Sequence, residues 1–333
     1  MIRVAVIGAG NWGKNLVRTF NATPGAELRY VVDVNEKTLK TLGALYPRAT
    51  MTADLNQVLQ DKDIDACVVA VDAPRHHAVA KACLQAGKHT YVEKPLALNG
   101  REATELVDLA TANGRHLMVG HLLEYHPAVN YMKDMIAQES VGQPLYLYFH
   151  RVNLGVVRTQ ENAWWSLAPH DISVACYLFG AQPVSVTATG QSFLQPGIED
   201  VVFATLRFAD GKLAHIHVSW LDPHKIRKVT LVGSQKMVVF DDMDASQKIW
   251  IHDKGAVVKS VESYVEAITL RTGDILIPRI SSQEPLMLEC QHFIESITKN
   301  TTPRSDGQDG LRVVRVLEAG SRSLQEGGKP VTI

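Results

Sequence analysis

From Ile2 to about Val119, short apolar runs rich in β-branched residues alternate with segments of helical length. The runs are IRVAVI, LRYVVDV, ACVVAV, HTYVEKP and HLMVG, and the segments between them begin near Trp12, Glu36, His77 and Gly100. Strands this uniformly apolar are buried on both faces, which predicts a parallel sheet wrapped by helices, a doubly wound α/β domain. After His121 the texture changes. A helix is predicted over Pro127 to about Gln138, and then PLYLYFHRV, VSVTATGQS, VVFATLRF, KLAHIHVSWL, KVTLVGS and MVVFDD alternate apolar with polar positions. Period two, with a turn such as Ala209-Asp210-Gly211, predicts a large, mostly antiparallel open sheet with one wetter face. Glu161 to Phe179, Glu284 to Lys299 and Gly310 to Gln325 have helical spacing, which makes the second domain α+β. The expected division is 1–121 for the first domain and 122–333 for the second, with a cleft between them.

Composition narrows the function classes. A length of 333 residues exceeds one ordinary core and fits two domains. With 46% hydrophobic and 21% charged residues and a net charge of -1, nothing biases the chain toward nucleic acid or an anionic membrane. The first apolar run is too short for a signal peptide or a membrane span, so a cytoplasmic protein is expected. Cys67, Cys83, Cys176 and Cys290 lack CxxC spacing and read as reduced core thiols, with neither a disulfide framework nor a metal site suggested.

Gly8-Ala9-Gly10-Asn11-Trp12-Gly13 directly follows IRVAVI and opens a helix. In that context G-x-G-x-x-G marks a Rossmann dinucleotide site. Gly8 permits the tight turn, Gly10 admits the pyrophosphate and Gly13 lets helix and strand pack closely. Asp33 ends the next strand, where a carboxylate accepts hydrogen bonds from the adenosine ribose and repels a 2′-phosphate, so NAD is expected over NADP. Lys37 and Lys40 lie near enough in sequence to temper that preference.

Glu93-Lys94-Pro95 ends the fourth run, at the carboxyl edge where ligands of such sheets bind. Pro95 restricts Lys94 to an extended or turn conformation, and an ammonium near a reacting hydroxyl stabilises the developing alkoxide. Together with the glycine motif, Ala86-Gly87-Lys88-His89, Glu93-Lys94-Pro95 and a histidine at the start of a second-domain helix resemble the glucose-fructose oxidoreductase, inositol dehydrogenase and rhizopine catabolism (Gfo/Idh/MocA) family. The resemblance spans essentially the whole chain. It implies that Lys94, often followed in this family by a cis proline, lies beside the nicotinamide and the substrate hydroxyl, with Glu93 and His76 among the cofactor contacts. It also implies that His170, in Trp164-Trp165-Ser166-Leu167-Ala168-Pro169-His170-Asp171, is the second catalytic residue. Where similar members carry an aspartate four residues before that histidine, this chain has Ser166, so either His170 or Lys94 takes the proton. Asp171 reads as a first-turn acid complementing the helix dipole.

For the substrate, Arg151 and Arg158, seven residues apart around Asn153, either grip a diphosphate bidentately or tie the loop in place. Tyr125, Trp164 and Trp165 are candidates for stacking on a sugar or uracil. GHLLEYHPAV, RVNLG, WWSLAPHDIS and SWLDPHKIRKVTLVGS resemble the branch of the family that oxidises the 3-hydroxyl of UDP-N-acetylglucosamine ahead of a transamination, as in lipopolysaccharide or lipid A biosynthesis. The alternatives are a free-sugar or cyclitol dehydrogenase and a non-catalytic NAD-binding sensor. The open sheet predicts a homodimer or homotetramer.

Overall fold

The computed structural model describes residues 1–258 and 268–333. They pack as two compact units, 1–125 with 283–315 and 126–282 with 316–333. The sequence reading cuts the chain once, at 121/122, whereas packing cuts it at three places.

In the first unit six parallel strands run in the order β3-β2-β1-β4-β5-β6. They are β1 (Ile2–Ile7), β2 (Ala26–Val32), β3 (Thr50–Thr52), β4 (Ala66–Val69), β5 (His89–Val92) and β6 (Leu117–Val119). Helices α1 (Gly13–Ala22), α2 (Glu36–Leu45), α3 (Leu55–Gln60), α4 (Ala73–Gln85) and α5 (Gly100–Ala112) connect them. The doubly wound parallel sheet expected from the apolar runs is what forms. β3 and α3 are additional to that reading, because a strand of three residues is too short to show periodicity.

Helix α6 (Pro127–Ala137) opens the second unit, followed by β7 (Pro144–Val152) and α7 (Ala163–Phe179). Strands β8 (Ser185–Gln191), β9 (Val201–Arg207), β10 (Leu213–Ser219), β11 (Ile226–Gly233), β12 (Met237–Asp241), β13 (Ile249–Val258) and β14 (Ile268–Leu276) come next. Helices α8 (Pro285–Lys299) and α9 (Gly307–Gln325) and strand β15 (Val331–Thr332) end the chain. The nine-stranded sheet has the order β14-β13-β12-β11-β7-β10-β9-β8-β15 and is antiparallel except between β7 and β10. The Asp210-Gly211 turn joins β9 to β10, with Gly211 at φ +86, a conformation that favours glycine.

Helix α8 was expected in the second domain, but its apolar face completes the first. Leu286, Cys290, Phe293 and Ile294 share a core with Val4, Leu16, Phe20 and Tyr91. Phe20, Tyr91 and Phe293 meet edge to face, with ring centroids 5.9–6.4 Å apart. All four cysteines are buried.

In the second unit, α7 packs on β7, β9 and β10. Asn162 caps its start by accepting from the Trp165 amide at 3.1 Å, and Gly180 ends it in the left-handed region. The less buried face of β7, β9 and β10 carries a ladder of rings. His150 stacks on His217 at 4.8 Å, Phe203 on His217 at 4.3 Å and Tyr148 on His215 at 5.7 Å. Tyr146, Tyr148 and Phe203 remain substantially exposed.

Gly320 on α9 lies against the fully buried Trp164, whose ring atoms would sit 2.6 Å from any Cβ placed there. Replacing Gly320 with Val is therefore expected to destabilise the protein by about 1–3 kcal/mol through overpacking. Urea unfolding checks this, and an unchanged midpoint contradicts it.

Candidate active site

The dinucleotide end is built by sterics. Gly8 follows β1 at φ +92, and a Cβ there would meet the Ala70 carbonyl oxygen at 2.5 Å. A Cβ on Gly13 would meet the Gly8 carbonyl oxygen at 2.1 Å, so the turn and the start of α1 both require glycine. A Cβ on Gly10 would meet nothing within 4 Å, leaving open space against the loop. No side chain caps the amino end of α1, whose amides are thus oriented for phosphate oxygens. At the end of β2, Asp33 accepts from the Ala9 amide at 2.7 Å and the Asn35 amide at 2.8 Å. A carboxylate accepts about four hydrogen bonds, so Asp33 ties the loop down and retains capacity for ribose hydroxyls. These features fit NAD.

The second element of this unit is the turn after β5. Trp12, next to the exposed Asn11 in the glycine loop, donates its indole N–H to Glu93 Oε1 at 2.6 Å. Burial pushes the Glu93 carboxyl up, against the pull of Trp12 and Lys94. Lys94 is half-buried, and the Lys94–Pro95 peptide is cis. His76, on the first turns of α4, is buried with Nδ1 2.7 Å from the Pro95 carbonyl and Nε2 3.0 Å from that of Val71. Burial holds the imidazole below its usual pKa, and a neutral ring has a single N–H to donate, so one of these two carbonyls receives it.

In the second unit the candidate base lies on α7. His170 is half-buried and Ser166, one turn before it, is buried. Asp171 corrects an expectation. The helix begins at Ala163, which places Asp171 mid-helix rather than in the first turn, and His170 two turns in rather than at the helix start. Its buried carboxylate is gripped by Arg151 on β7, with Nε 2.9 and 3.0 Å from the two oxygens and Nη2 2.7 Å from Oδ1. Burial pushes the Asp171 carboxyl up and Arg151 opposes it. Arg151 is thereby committed to a buried ion pair, not held out toward a diphosphate.

Other expected contacts are also spoken for. Trp164 is fully buried with its indole N–H on the Leu317 carbonyl at 2.9 Å, and Trp165, half-buried, donates to Ser321 Oγ at 2.9 Å. Tyr125 is 3% exposed, its hydroxyl 2.9 Å from Ser305 Oγ and its ring under the Arg304 guanidinium at 4.9 Å. No face of Trp164 or Tyr125 is open to a uracil ring. Arg158 stays exposed, with Glu161 at 3.7 Å, and Asn153 accepts from Arg227. Thus Gly8, Gly10, Asn11, Trp12, Gly13, Asp33, His76, Glu93 and Lys94 gather in the first unit. Arg151, Asn153, Arg158, Trp164, Trp165 and His170 belong to the second.

Two groupings escape a reading of the sequence. Arg227 lies within SWLDPHKIRKVTLVGS, but no motif singles it out. His121, Glu124 and Asp309 converge in the first unit, with His121 Nδ1 2.7 Å from Asp309 and 3.4 Å from Glu124. Their ligand atoms lie within 4.8 Å of one another, a spacing that could hold a metal ion. As it stands, the cluster shares protons. Burial disfavours the His121 cation, but the hydrogen bonds to Asp309 and Glu124 outweigh it and push its pKa up to about 10. Burial, reinforced by the charge on Asp309, raises Glu124 to about 8.

Both groups hold protons more tightly in the folded chain than their ordinary pKa values of 6.5 and 4.5 allow. Their stabilising contribution is complete at low pH and is lost as pH rises through about 8 and about 10. Replacing Asp309 with Asn leaves the imidazolium without its carboxylate, an expected loss of about 3–5 kcal/mol near pH 6. The variant's unfolding free energy should also depend less on pH up to the alkaline range. Parallel pH curves for variant and wild type contradict this account.

Comparison with known proteins agrees with the geometry. Residues 2–121 match the oxidoreductase family, NAD-binding Rossmann fold, and residues 129–239 match the GFO/IDH/MocA C-terminal domain. Inositol 2-dehydrogenase 2 of Paenarthrobacter aurescens is 30% identical over 98% of this chain and 97% of its own. UDP-N-acetylglucosamine 3-dehydrogenase of Acidithiobacillus ferrooxidans is 26% identical over 94% of each chain. The solved structure of that enzyme superposes with a TM-score of 0.82 at 24% identity, covering 98% of each chain. GenD2 from gentamicin A biosynthesis, in complex with NAD, superposes with a TM-score of 0.83 at 23% identity, covering 100% of this chain and 96% of its own. A glycine loop shaped for NAD, a lysine turn braced against it and matches across both units make this chain a member of the Gfo/Idh/MocA oxidoreductase family.

Proposed function

We propose that this dehydrogenase oxidises the 3-hydroxyl of a UDP-sugar, with UDP-N-acetylglucosamine the leading substrate, to a 3-keto sugar that a transaminase then consumes. The observation that carries hydroxyl oxidation is the placement of Lys94 after β5, next to Glu93, which is hydrogen-bonded to Trp12 of the glycine loop, and similarity to the UDP-N-acetylglucosamine 3-dehydrogenase supports the choice of substrate. Bound NAD supplies the hydride acceptor. Lys94 holds the substrate oxygen and stabilises negative charge developing on it. His170 removes the hydroxyl proton, its helix anchored by Asp171 on Arg151. Asn153 and Arg158 contribute to substrate binding, together with Trp165 in the first turn of the His170 helix. The protein acts in the cytoplasm, and a second copy of the chain covers the ring ladder of the open sheet.

A cyclitol is the second reading. It draws on the inositol 2-dehydrogenase relative and on the closure of Tyr125 and Trp164 to base stacking. Among the described residues no helix is long and apolar enough to cross a membrane.

Purified protein given NAD and UDP-N-acetylglucosamine, with and without 2-oxoglutarate, should release a 3-keto product detectable by mass spectrometry. Turnover of myo-inositol alone favours the second reading. Lys94→Met and His170→Ala should each lower kcat/KM by about 10²–10⁴-fold, and full activity in both removes the mechanism. Ser166→Asp places a carboxylate one turn from His170 and should move the acid limb of the pH–rate profile upward.

A further inference from the structure

Arg151 on β7 and Arg227 on β11 are register partners across an antiparallel pair, so two guanidinium groups leave directly opposed backbone positions. Like charges so placed repel unless anions compensate them. Asp171 compensates Arg151 with three close contacts. Arg227 has no equivalent. Its Nη1 donates to the carbonyls of Val152 at 2.9 Å and Ile226 at 2.8 Å, and its Nη2 donates to Asn153 Oδ1. All three acceptors are neutral oxygens, and they occupy only part of a guanidinium's five donors. Among the described residues, no carboxylate forms an ion pair with Arg227 within 4.0 Å.

Asp242, the other acid nearby, lies 3.5 Å from both His126 and Lys248. Leaving His126 aside, Arg151, Arg227 and Lys248 face Asp171 and Asp242, three cations to two anions. Burial, with Arg151 beside it, pushes Arg227 down to about 10, against the weaker pull of Asp171 and Asp242. The surplus charge is well placed for substrate. Asn153, which holds the guanidinium, begins the segment that leads through Arg158 into α7 and His170. The contact that anchors α7 beside His170 is made by Arg227's own strand partner.

We propose that Arg227 is the anion-recognising residue of the substrate site, receiving a carboxylate or phosphate group of the substrate while Asn153 sets the plane of its guanidinium. This rests on the second unit being the substrate-binding unit, and it gives that unit a preference for acidic sugars over neutral cyclitols.

Isothermal titration of the NAD-loaded protein tests it, with UDP-N-acetylglucosamine carrying phosphate, glucuronate carrying carboxylate and myo-inositol carrying neither. Arg227→Gln should weaken binding of at least one anionic ligand by about 10–100-fold and leave myo-inositol unaffected. A loss confined to glucuronate identifies a carboxylate as the recognised group, and a loss confined to UDP-N-acetylglucosamine identifies a phosphate. Should Arg227→Gln fail to fold, Arg227→Lys keeps the charge without the paired donors and should still bind the recognised anion several-fold more weakly. Asn153→Ala should weaken the same ligand in the same direction. Wild type that binds neither anion overturns the proposal, as does equal weakening of all three ligands or none. Turnover is scored separately. Absence of UDP-N-acetylglucosamine oxidation with Arg227-dependent glucuronate binding intact removes the proposed function and leaves this inference standing.

Discussion

Asp171 and Arg151 give up water together, and the chemistry of the second unit is arranged around that exchange. A carboxylate in the middle of an apolar helix face is tolerable only if its desolvation is offset by closely matched donors. Arg151 supplies them from β7, near the centre of the sheet. Rotating α7 by one residue would strand both charges, so the pair sets which residues of the helix turn inward. His170 and Ser166 take their directions from it. On the sheet side, the same strand pairs with β11 and brings Arg227 alongside.

The first unit obeys a steric rule instead. Gly8 and Gly13 leave no room for a Cβ, while Gly10 looks onto open space, so the same short stretch is both tight and accessible. Asp33 joins this stretch to β2, and Trp12 joins it to the turn carrying Lys94. Cofactor grip and lysine placement are therefore coupled through one indole N–H and one carboxylate.

What could be read from the chain follows from how local each signal is. The five apolar runs, the glycine spacing and Asp33 depend on neighbours in sequence or on alternation, and each appears where expected. β3 lacked length, and α8 carried a correct helical period with no sign of which core it would join. Tyr125 and Trp164 look like stacking residues as letters; only the packing of Ser305, Arg304 and Leu317 around them reveals core residues. His121 and Asp309 are 188 residues apart, and Arg227 gains meaning only from its strand partner, so neither could surface without tertiary structure.

The placement of α8 also bears on how the protein is made. Leu286, Cys290, Phe293 and Ile294 belong to the core begun by Val4, Leu16 and Phe20. Asp309 is needed to neutralise His121. The first unit therefore cannot close its core as its sheet leaves the ribosome; the sheet must wait, partly uncovered on one face, until α8 and Asp309 have been synthesised. A message truncated before α8 would yield a Rossmann sheet with every glycine of its loop in place and an apolar flank still open to water.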